Sequence, residues 1–231
     1  MSVVWHDLEC GAYIEDLPLW RSLAERYGDP VLDVGAGTGR VTLDLARRGH
    51  RVTALDLDPT LLVALSSRAD GLPITTVVGD ARSLALEQRF ALCLVPMQTI
   101  QLLGGAAGRA RFLSRVRADV IAIAIADSLE LFDSGGGPEP LPDIVERDGV
   151  VYASHPTAVR GEEDGYVLER RRETVTADGR RTVEHDEIRL DRLTAPGLER
   201  EAVAAGLSVL PRLSVPATYD YVGSAVVMLG G

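Results

Sequence analysis

The first 126 residues alternate between two hydrophobic patterns, which predict alternating strands and helices. Short, nearly continuous apolar runs are typical of buried strands, and they cover residues 31–34, 51–57, 74–78, 90–95 and 120–126. Apolar residues at three- and four-residue spacing predict helices over residues 12–27, 39–48, 59–69 and 107–118. Strands that alternate with helices favour an α/β fold with a doubly wound, Rossmann-like sheet.

The pattern changes after residue 126. Residues 134–142 are rich in glycine and proline, and they predict a loop. Strand-like stretches follow near residues 150–159, 166–176 and 181–190, and Asp178-Gly179 between the last two is a hairpin signal. We therefore expect an antiparallel β insert over residues 134–190. A helix is expected next at 194–206, followed by strands at 207–210 and 224–229.

Composition places the chain among ordinary globular proteins, and its 231 residues predict a single domain over residues 1–231. The net charge is −10, and all 24 basic residues are arginines. Residues 131–190 hold 14 acidic residues and 8 arginines, a local balance of −6. Because an acidic surface repels phosphate backbones, this charge argues against a nucleic-acid partner. The absence of lysine and asparagine suggests a GC-rich coding genome.

Targeting, membrane and metal signals are missing from the sequence. The first residues have no basic region followed by an apolar run, and no stretch approaches the ~20 apolar residues of a membrane span. Cys10 and Cys93 are isolated, and no Cys-x-x-Cys or histidine-rich cluster predicts a metal site. We expect a soluble, cytoplasmic protein without a metal or a membrane partner.

Glycine and acidic residues gather where four of the predicted strands end. These positions are residues 33–39, Asp56, Asp80 and residues 95–98. The ends of parallel strands share one crevice, so the four positions can converge on one ligand. A glycine-rich turn lets a ligand approach the backbone, and an acid after the second strand can accept hydrogen bonds from ribose hydroxyls. A carboxylate at Asp80 can accept a hydrogen from the amino group of adenine.

Three of these segments resemble motifs of the class I S-adenosylmethionine-dependent methyltransferases. They are residues 31–40, 52–59 and 78–82, and the resemblance covers residues 12–126 well. It implies a seven-stranded sheet that is mostly parallel with one antiparallel strand, and S-adenosylmethionine as cofactor. Its implied cofactor-binding residues are Asp33, Gly35, Ala36, Gly37, Gly39, Asp56, Leu57, Asp80, Ala81, Val95 and Met97.

A nicotinamide-dependent dehydrogenase is the main alternative with the same fold. Its fingerprint needs glycines in the pattern G-x-G-x-x-G. Counting from Gly35 puts Arg40 at the third position, and counting from Gly37 puts Leu43 there. The glycine turn therefore fits the methyltransferase motif better.

The acceptor of the methyl group is less clearly defined. Nucleic-acid methyltransferases carry an Asn/Asp-Pro-Pro-aromatic or a Pro-Cys motif after strand four. This chain has Val95-Pro96-Met97-Gln98 at that place, which matches neither motif. This departure and the acidity favour a small-molecule acceptor with a nitrogen or oxygen nucleophile, as in the bacterial enzymes of the family. An RNA or protein methyltransferase and a non-catalytic S-adenosylmethionine-binding module remain alternatives.

Aromatic and titratable residues outside the motifs are candidates for the acceptor side. The catalytic candidates are Tyr13, His6, Gln98 and His155, and further candidates are Trp5, Trp20, Gln101, Asp127, Tyr152 and His185. We expect the helix over residues 12–27 to be a lid. We expect the insert to cap the acceptor pocket, to mediate a homodimer, or to do both.

Overall fold

The computed structural model describes residues 2–127, 129–134, 140–219 and 221–231. The helices are α1 (Val3–Cys10), α2 (Leu17–Tyr27), α3 (Arg40–Arg47), α4 (Pro59–Arg68), α5 (Gly105–Leu113) and α6 (Ala195–Ala204). The strands are β1 (Val31–Val34), β2 (Val52–Asp56), β3 (Ile74–Val78), β4 (Phe90–Val95), β5 (Ala118–Ile125), β6 (Phe132–Asp133), β7 (Asp143–Arg147), β8 (Val150–Gly161), β9 (Gly165–Val175), β10 (Arg181–Asp191), β11 (Ser208–Val215) and β12 (Ser224–Gly230). Two short 3₁₀ turns, Ala81–Ser83 and Thr99–Leu102, follow β3 and β4.

Seven strands form the main sheet in the order β11-β12-β5-β4-β1-β2-β3. Strands β1 to β5 are parallel, and β12 runs antiparallel to both β5 and β11. The predicted seven-stranded α/β sheet with one antiparallel strand is therefore confirmed.

Alternating residues of β4 supply the cores on the two faces of this sheet. Leu92 and Leu94 pack in one apolar cluster with residues of α2 and α3, whereas Cys93 and Val95 pack in another with residues of α5 and α6. All four side chains are fully buried. This arrangement explains the continuous apolar runs, because a strand covered on both faces needs apolar side chains at every position.

A second, antiparallel sheet forms the predicted β insert. Its order is β10-β9-β8-β6, and β7 also pairs with β8. The three strands expected from the sequence are β8, β9 and β10, which are 11 or 12 residues long. Strands β6 and β7 were not predicted. Of the predicted 134–142 loop, residues 135–139 lie outside the described part of the chain.

The amino-terminal segment differs most from the prediction. The helix expected over residues 12–27 begins at Leu17, and residues 11–16 form turns instead. A separate helix, α1, precedes these turns. Near the carboxyl end, β11 continues through Pro211 to Val215. An edge strand with a register shift between Leu210 and Leu213 accommodates this proline, since its missing N–H leaves no sheet hydrogen bond broken.

No helix among the described residues is long and apolar enough to cross a membrane.

Candidate functional site

The glycine turn between β1 and α3 is closely covered by side chains from elsewhere in the chain. Gly35 and Gly37 have positive φ angles of 74° and 54°. A Cβ atom on Gly35 would lie 2.6 Å from Thr99, and one on Gly37 would lie 2.2 Å from the imidazole of His6. Both positions therefore require glycine for the backbone angle and for space. The side chains of Thr99 and His6 occupy the space beside these two glycines.

Gly39 has a different role in this turn. Its φ is 97°, and a Cβ there would lie 2.8 Å from Leu65 on α4. The missing side chain thus allows α4 to pack against the start of α3. Contact of Gly39 with a cofactor stays a prediction.

Asp33 is the buried carboxylate of the site. Thr42 donates a hydrogen bond of 2.6 Å to its Oδ2. Among the described residues, its buried Oδ1 has no hydrogen-bond partner. Burial raises the pKa of Asp33 to about 6, although the hydrogen bond from Thr42 and the charge of Arg40 oppose this shift. An unpaired buried oxygen is costly, so this atom is suited to receive a donor from a ligand.

A cavity opens beside Asp33. Its walls come from α1, the glycine turn, the start of α3 and the end of β4, and include His6, Cys10, Asp33, Gly35, Ala36, Pro96, Met97 and Thr99. Met97 adopts a left-handed φ of 54°, which a non-glycine residue rarely adopts. Val95, the last residue of β4, is fully buried. The predicted sites at Asp33, Gly35, Ala36 and Met97 therefore meet around one opening.

Asp56 ends β2 and holds the glycine turn. Its Oδ2 accepts a 2.7 Å hydrogen bond from the Gly37 N–H, and its Oδ1 accepts one of 2.9 Å from the Asp58 N–H. The carboxylate is half-buried. Asp56 therefore lies next to the glycine turn, as expected for strand ends that share one crevice. Its carboxylate stabilises the turn by accepting the hydrogen bond from Gly37.

Leu57 lies directly after β2, and Asp80 lies two residues after the end of β3. Leu57 is 67% exposed, an unusual state for a leucine immediately after a buried strand. The Asp80 carboxylate accepts hydrogen bonds from the backbone N–H of Arg82 at 2.8 Å and from its guanidinium. Ala81 is buried at the start of the following turn. A cofactor role for these residues stays a prediction.

His6 places α1 against the glycine turn. Its Nδ1 lies 3.2 Å from the Thr38 Oγ1. Burial lowers the pKa of His6 below 6.5, although the nearby charges of Asp56, Asp7 and Glu9 oppose this shift. The imidazole is therefore neutral at pH 7. Of the predicted catalytic candidates, His6 is the one that lines the cavity.

Tyr13 lies in the turns between α1 and α2, and Arg40 fixes it. The Arg40 guanidinium donates to the Tyr13 carbonyl at 2.9 Å, forms a two-pronged ion pair with the Asp16 carboxylate, and lies 5.1 Å from the centroid of the Tyr13 ring. Because Arg40 begins α3, this clasp ties the amino-terminal turns to the end of the glycine turn. The Arg40–Asp16 pair was not predicted, because its partners are too far apart in the chain for a local pattern to show it.

Other candidates lie away from the cavity. Ser154 faces α1, so its neighbour His155 faces the opposite side of the insert sheet, near Glu173. The structure therefore does not bring His155 together with the glycine turn. Gln101 is fully buried and joins the backbones of Ala126 and Asp191, which is a structural role. Gln98 is half-buried at the start of the turn after β4.

The remaining candidates are distributed over the core and the insert. Trp20 is fully buried in the core, His185 is exposed on β10, and Asp127 accepts a hydrogen bond from the Ala195 N–H at 3.3 Å. Trp5 and Tyr152 contact each other where α1 meets the insert, with ring centroids 5.4 Å apart.

The region of the glycine turn and its neighbouring strand ends matches a known family. Residues 31–119 match the family model described as a methyltransferase domain, and this segment includes the three predicted motifs and the end of β4. The matched segment makes up less than half of the chain. The resemblance inferred from the motifs is thereby confirmed for this part of the chain.

Solved structures show the same fold over the whole length of the chain. The sugar N-methyltransferase of a Streptoalloteichus species is 18% identical with a TM-score of 0.75, covering 98% of this chain and 92% of that one. An amino pentose methyltransferase of Micromonospora echinaspora, solved with bound S-adenosylmethionine, is 19% identical with a TM-score of 0.73, covering 99% and 97%. The predicted class I methyltransferase fold is confirmed.

Curated relatives match over shorter stretches. A ribosomal RNA small subunit methyltransferase A of Novosphingobium aromaticivorans is 43% identical over 65 residues, which are 27% of this chain and 24% of the relative. The chain spans less than half the length of each of the first seven curated relatives. The shared part is therefore a portion of each protein.

Proposed function

We propose that this chain is an S-adenosylmethionine-dependent methyltransferase that methylates a nitrogen or oxygen of a small molecule. The observation that carries the acceptor class is coverage. The two sugar and amino pentose methyltransferases align over 98% and 99% of this chain, so the alignment includes the insert. The ribosomal RNA relative is similar in sequence over 27% of the chain. The coverage of the insert by the two small-molecule enzymes supports a small-molecule acceptor.

The residues of the site fit the cofactor. The unpartnered Oδ1 of Asp33 suits the ammonium group of its amino-acid end, and Gly35 and Ala36 line the cavity beside this oxygen. Asp56 would hold the ribose, the exposed Leu57 would pack on the adenine, and Asp80 with the Ala81 backbone would recognise its edge. When bound, the cofactor supplies an electrophilic methyl group that the acceptor attacks in line, leaving S-adenosylhomocysteine.

This chain's own contribution to the reaction is alignment. Bringing an acceptor and a methyl donor into contact geometry supplies ~7–11 kcal/mol of barrier lowering in well-oriented cases. The cavity beside Met97 is walled by α1 and the end of β4, and it gives the acceptor a direction of approach. Neutral His6 on this wall can accept a proton from an acceptor amine or hydroxyl.

Calorimetric titration with S-adenosylhomocysteine tests the cofactor assignment. We expect binding by the full chain and strongly weakened binding by Asp56→Ala, because that variant loses both the ribose acceptor and the support of the glycine turn. Asp119→Ala, in an exposed ion pair with Arg89, is the matched control. No heat of binding by the wild type at millimolar ligand would refute the proposal.

A labelled-methyl assay tests the acceptor class. We expect incorporation of label into amino sugars or their nucleotide-linked forms, and none into ribosomal RNA. Incorporation into RNA alone would favour the alternative class that the curated relatives represent.

A further inference from the structure

Helix α1 lies between the glycine turn and the insert sheet, and its own packing does not fix it there. It has eight residues, of which only Trp5 is buried. Isolated helices of this length are unstable in water. Clefts open on both sides of it, one lined by Cys10 and Met97, the other by Gly11 and Arg68. Its position must therefore depend on specific contacts.

The strongest of these contacts join α1 to the insert through Glu9. Arg172 on β9 donates to both Glu9 oxygens, at 2.8 and 2.7 Å, and Ser154 on β8 donates at 2.8 Å. The side chains of Glu9 and Arg172 are only 3% and 9% exposed. Arg172 also donates to Asp186 on β10 at 2.7 Å. One carboxylate of α1 is thus bonded, directly or through Arg172, to three strands of the insert.

An aromatic contact reinforces the same junction. The guanidinium of Arg172 lies 5.5 Å from the centroid of the Trp5 ring, which meets Tyr152 on β8 edge to face. Arg172 thereby balances the charge of Glu9 and also makes a cation–π contact with Trp5.

A neighbouring part of the surface of α1 contacts the glycine turn. His6, which lies three positions before Glu9 in α1, covers Gly37 and contacts the hydroxyl group of Thr38. Asp7 accepts hydrogen bonds from Arg68 on α4 and from Arg147 on β7. In the described part of the chain, α1 is the helix that contacts both the glycine turn and the insert.

We propose that Glu9 and Arg172 are positioning residues of the cofactor site. Their pair fixes α1 on the insert, and α1 in turn holds His6 over Gly37. Among the described residues that line the cavity beside Asp33, neither of the two appears, so their effect passes through the helix. This inference rests on the proposed function, because it takes the glycine turn to be the S-adenosylmethionine site. It assigns the insert a task on the cofactor side as well as on the acceptor side.

Calorimetric titration of the full chain with S-adenosylhomocysteine tests this role. We expect Glu9→Gln and Arg172→Met each to raise the Kd roughly tenfold, since small displacements of a positioning element cost this much or more. Arg181→Met is the matched control, because Arg181 pairs with Glu173 on the other face of the same sheet. Its Kd should equal that of the wild type.

A double-mutant cycle separates positioning from general destabilisation. In a His6→Ala background, Glu9→Gln should change the Kd less than about twofold, because the group that it positions is gone. A purely structural role would lower the thermal midpoint of unfolding, and the effects of His6→Ala and Glu9→Gln on the Kd would then be independent.

Tryptophan fluorescence tests the docking of α1 on the insert. In a Trp20→Phe background Trp5 is the sole tryptophan, and its emission should shift to longer wavelength in Glu9→Gln as α1 leaves the sheet.

The outcomes distinguish the inference from the proposed function. If folded Glu9→Gln binds S-adenosylhomocysteine with the wild-type Kd, the inference is wrong while the function stands. If Arg172→Met does not fold, Glu9→Gln carries the test, since its amide still accepts hydrogen bonds from Ser154 and Arg172. If the wild type does not bind the ligand, the proposed function fails, and unchanged Trp5 emission in Glu9→Gln would separately refute the docking of α1 through Glu9.

Discussion

The carboxyl group of Asp33 is buried, and its effect on the free energy of unfolding depends on pH. Burial raises its pKa to about 6, above the value near 3.8 in an unfolded chain. The native state therefore binds more protons than the unfolded state between about pH 4 and pH 6. The contribution of Asp33 to the free energy of unfolding falls as pH rises through this window and is constant above it.

Replacing Asp33 with asparagine should remove this pH dependence. A shift of two pKa units corresponds to about 3 kcal/mol, so the wild type should lose up to that amount between pH 4 and pH 6 relative to Asp33→Asn. Urea unfolding at several pH values measures the difference. The pKa of Asp7 is about 2, because hydrogen bonds from Arg68, Thr38 and Arg147 outweigh its burial, so Asp7 titrates below this window. Parallel curves for the two proteins would contradict the expected role of Asp33.

The same protonation should weaken cofactor binding in acid. An ammonium group at the Oδ1 of Asp33 needs the charged carboxylate, so the Kd for S-adenosylhomocysteine should rise as pH falls below about 6. Calorimetry at pH 5 and pH 7.5 measures this change. Asp33→Asn should bind weakly at both values. His6 also faces the cavity, and a His6→Gln variant that keeps the full pH dependence would assign the effect to Asp33.

At the scale of elements, a buried arginine joins the insert to the main sheet's helices. Arg109 on α5 donates to Asp191 at the end of β10 and to both oxygens of Glu201 on α6, with distances of 2.7–2.8 Å. Arg109 is 6% exposed, and its two partners are each 23% exposed. The two carboxylates therefore depend on one cation for their charge balance.

Arg109→Met should cost about 3 kcal/mol of unfolding free energy, because it leaves two partly buried carboxylates uncompensated. Arg89→Met removes an exposed pair with Asp119 and should cost less than about 1 kcal/mol. Chemical denaturation of both variants makes the comparison. Equal losses would show that burial of the Arg109 network contributes nothing.

Elements that repeat a local pattern could be predicted, and those held by distant partners could not. The strands β1, β4 and β5 are apolar at nearly every position because both faces are covered, and this pattern is visible in the sequence. Helix α1 carries Trp5, Asp7 and Glu9, which contact residues 61 to 163 positions away. Its sequence shows no apolar stripe, because its side chains serve tertiary contacts instead of a core face.

The candidate site shows the same division. The glycine turn and Asp33 follow from a local motif, and both line the cavity. The contact of Thr99 with Gly35 and that of His6 with Gly37 depend on the packing of β4 and α1 around the turn. His155 was also a catalytic candidate by residue type. Its position on the far face of the insert depends on the register of β8, which the sequence pattern does not fix.

At the scale of the whole molecule, the segment that matches a family model is separate from the insert. Residues 31–119 match the model of a methyltransferase domain. Residues 131–190, which contain the insert, follow this segment and carry six of the ten net negative charges. Acceptor choice should therefore depend on the insert and on the charge that it presents.

This charge distribution gives a test that does not require the true acceptor. RNA binding by basic proteins strengthens steeply as salt falls, because counterions are released from the phosphates. A net charge of −10 should abolish this trend, so filter binding of total RNA should be negligible at 150 mM salt and should stay negligible at 20 mM. Asp178→Arg and Glu184→Arg, at exposed positions of the insert, should together raise low-salt retention if the insert faces the solvent side from which RNA approaches. Strong wild-type retention at 20 mM that disappears at 150 mM would instead reveal a local basic surface that outweighs the net charge, and it would favour the RNA methyltransferase alternative.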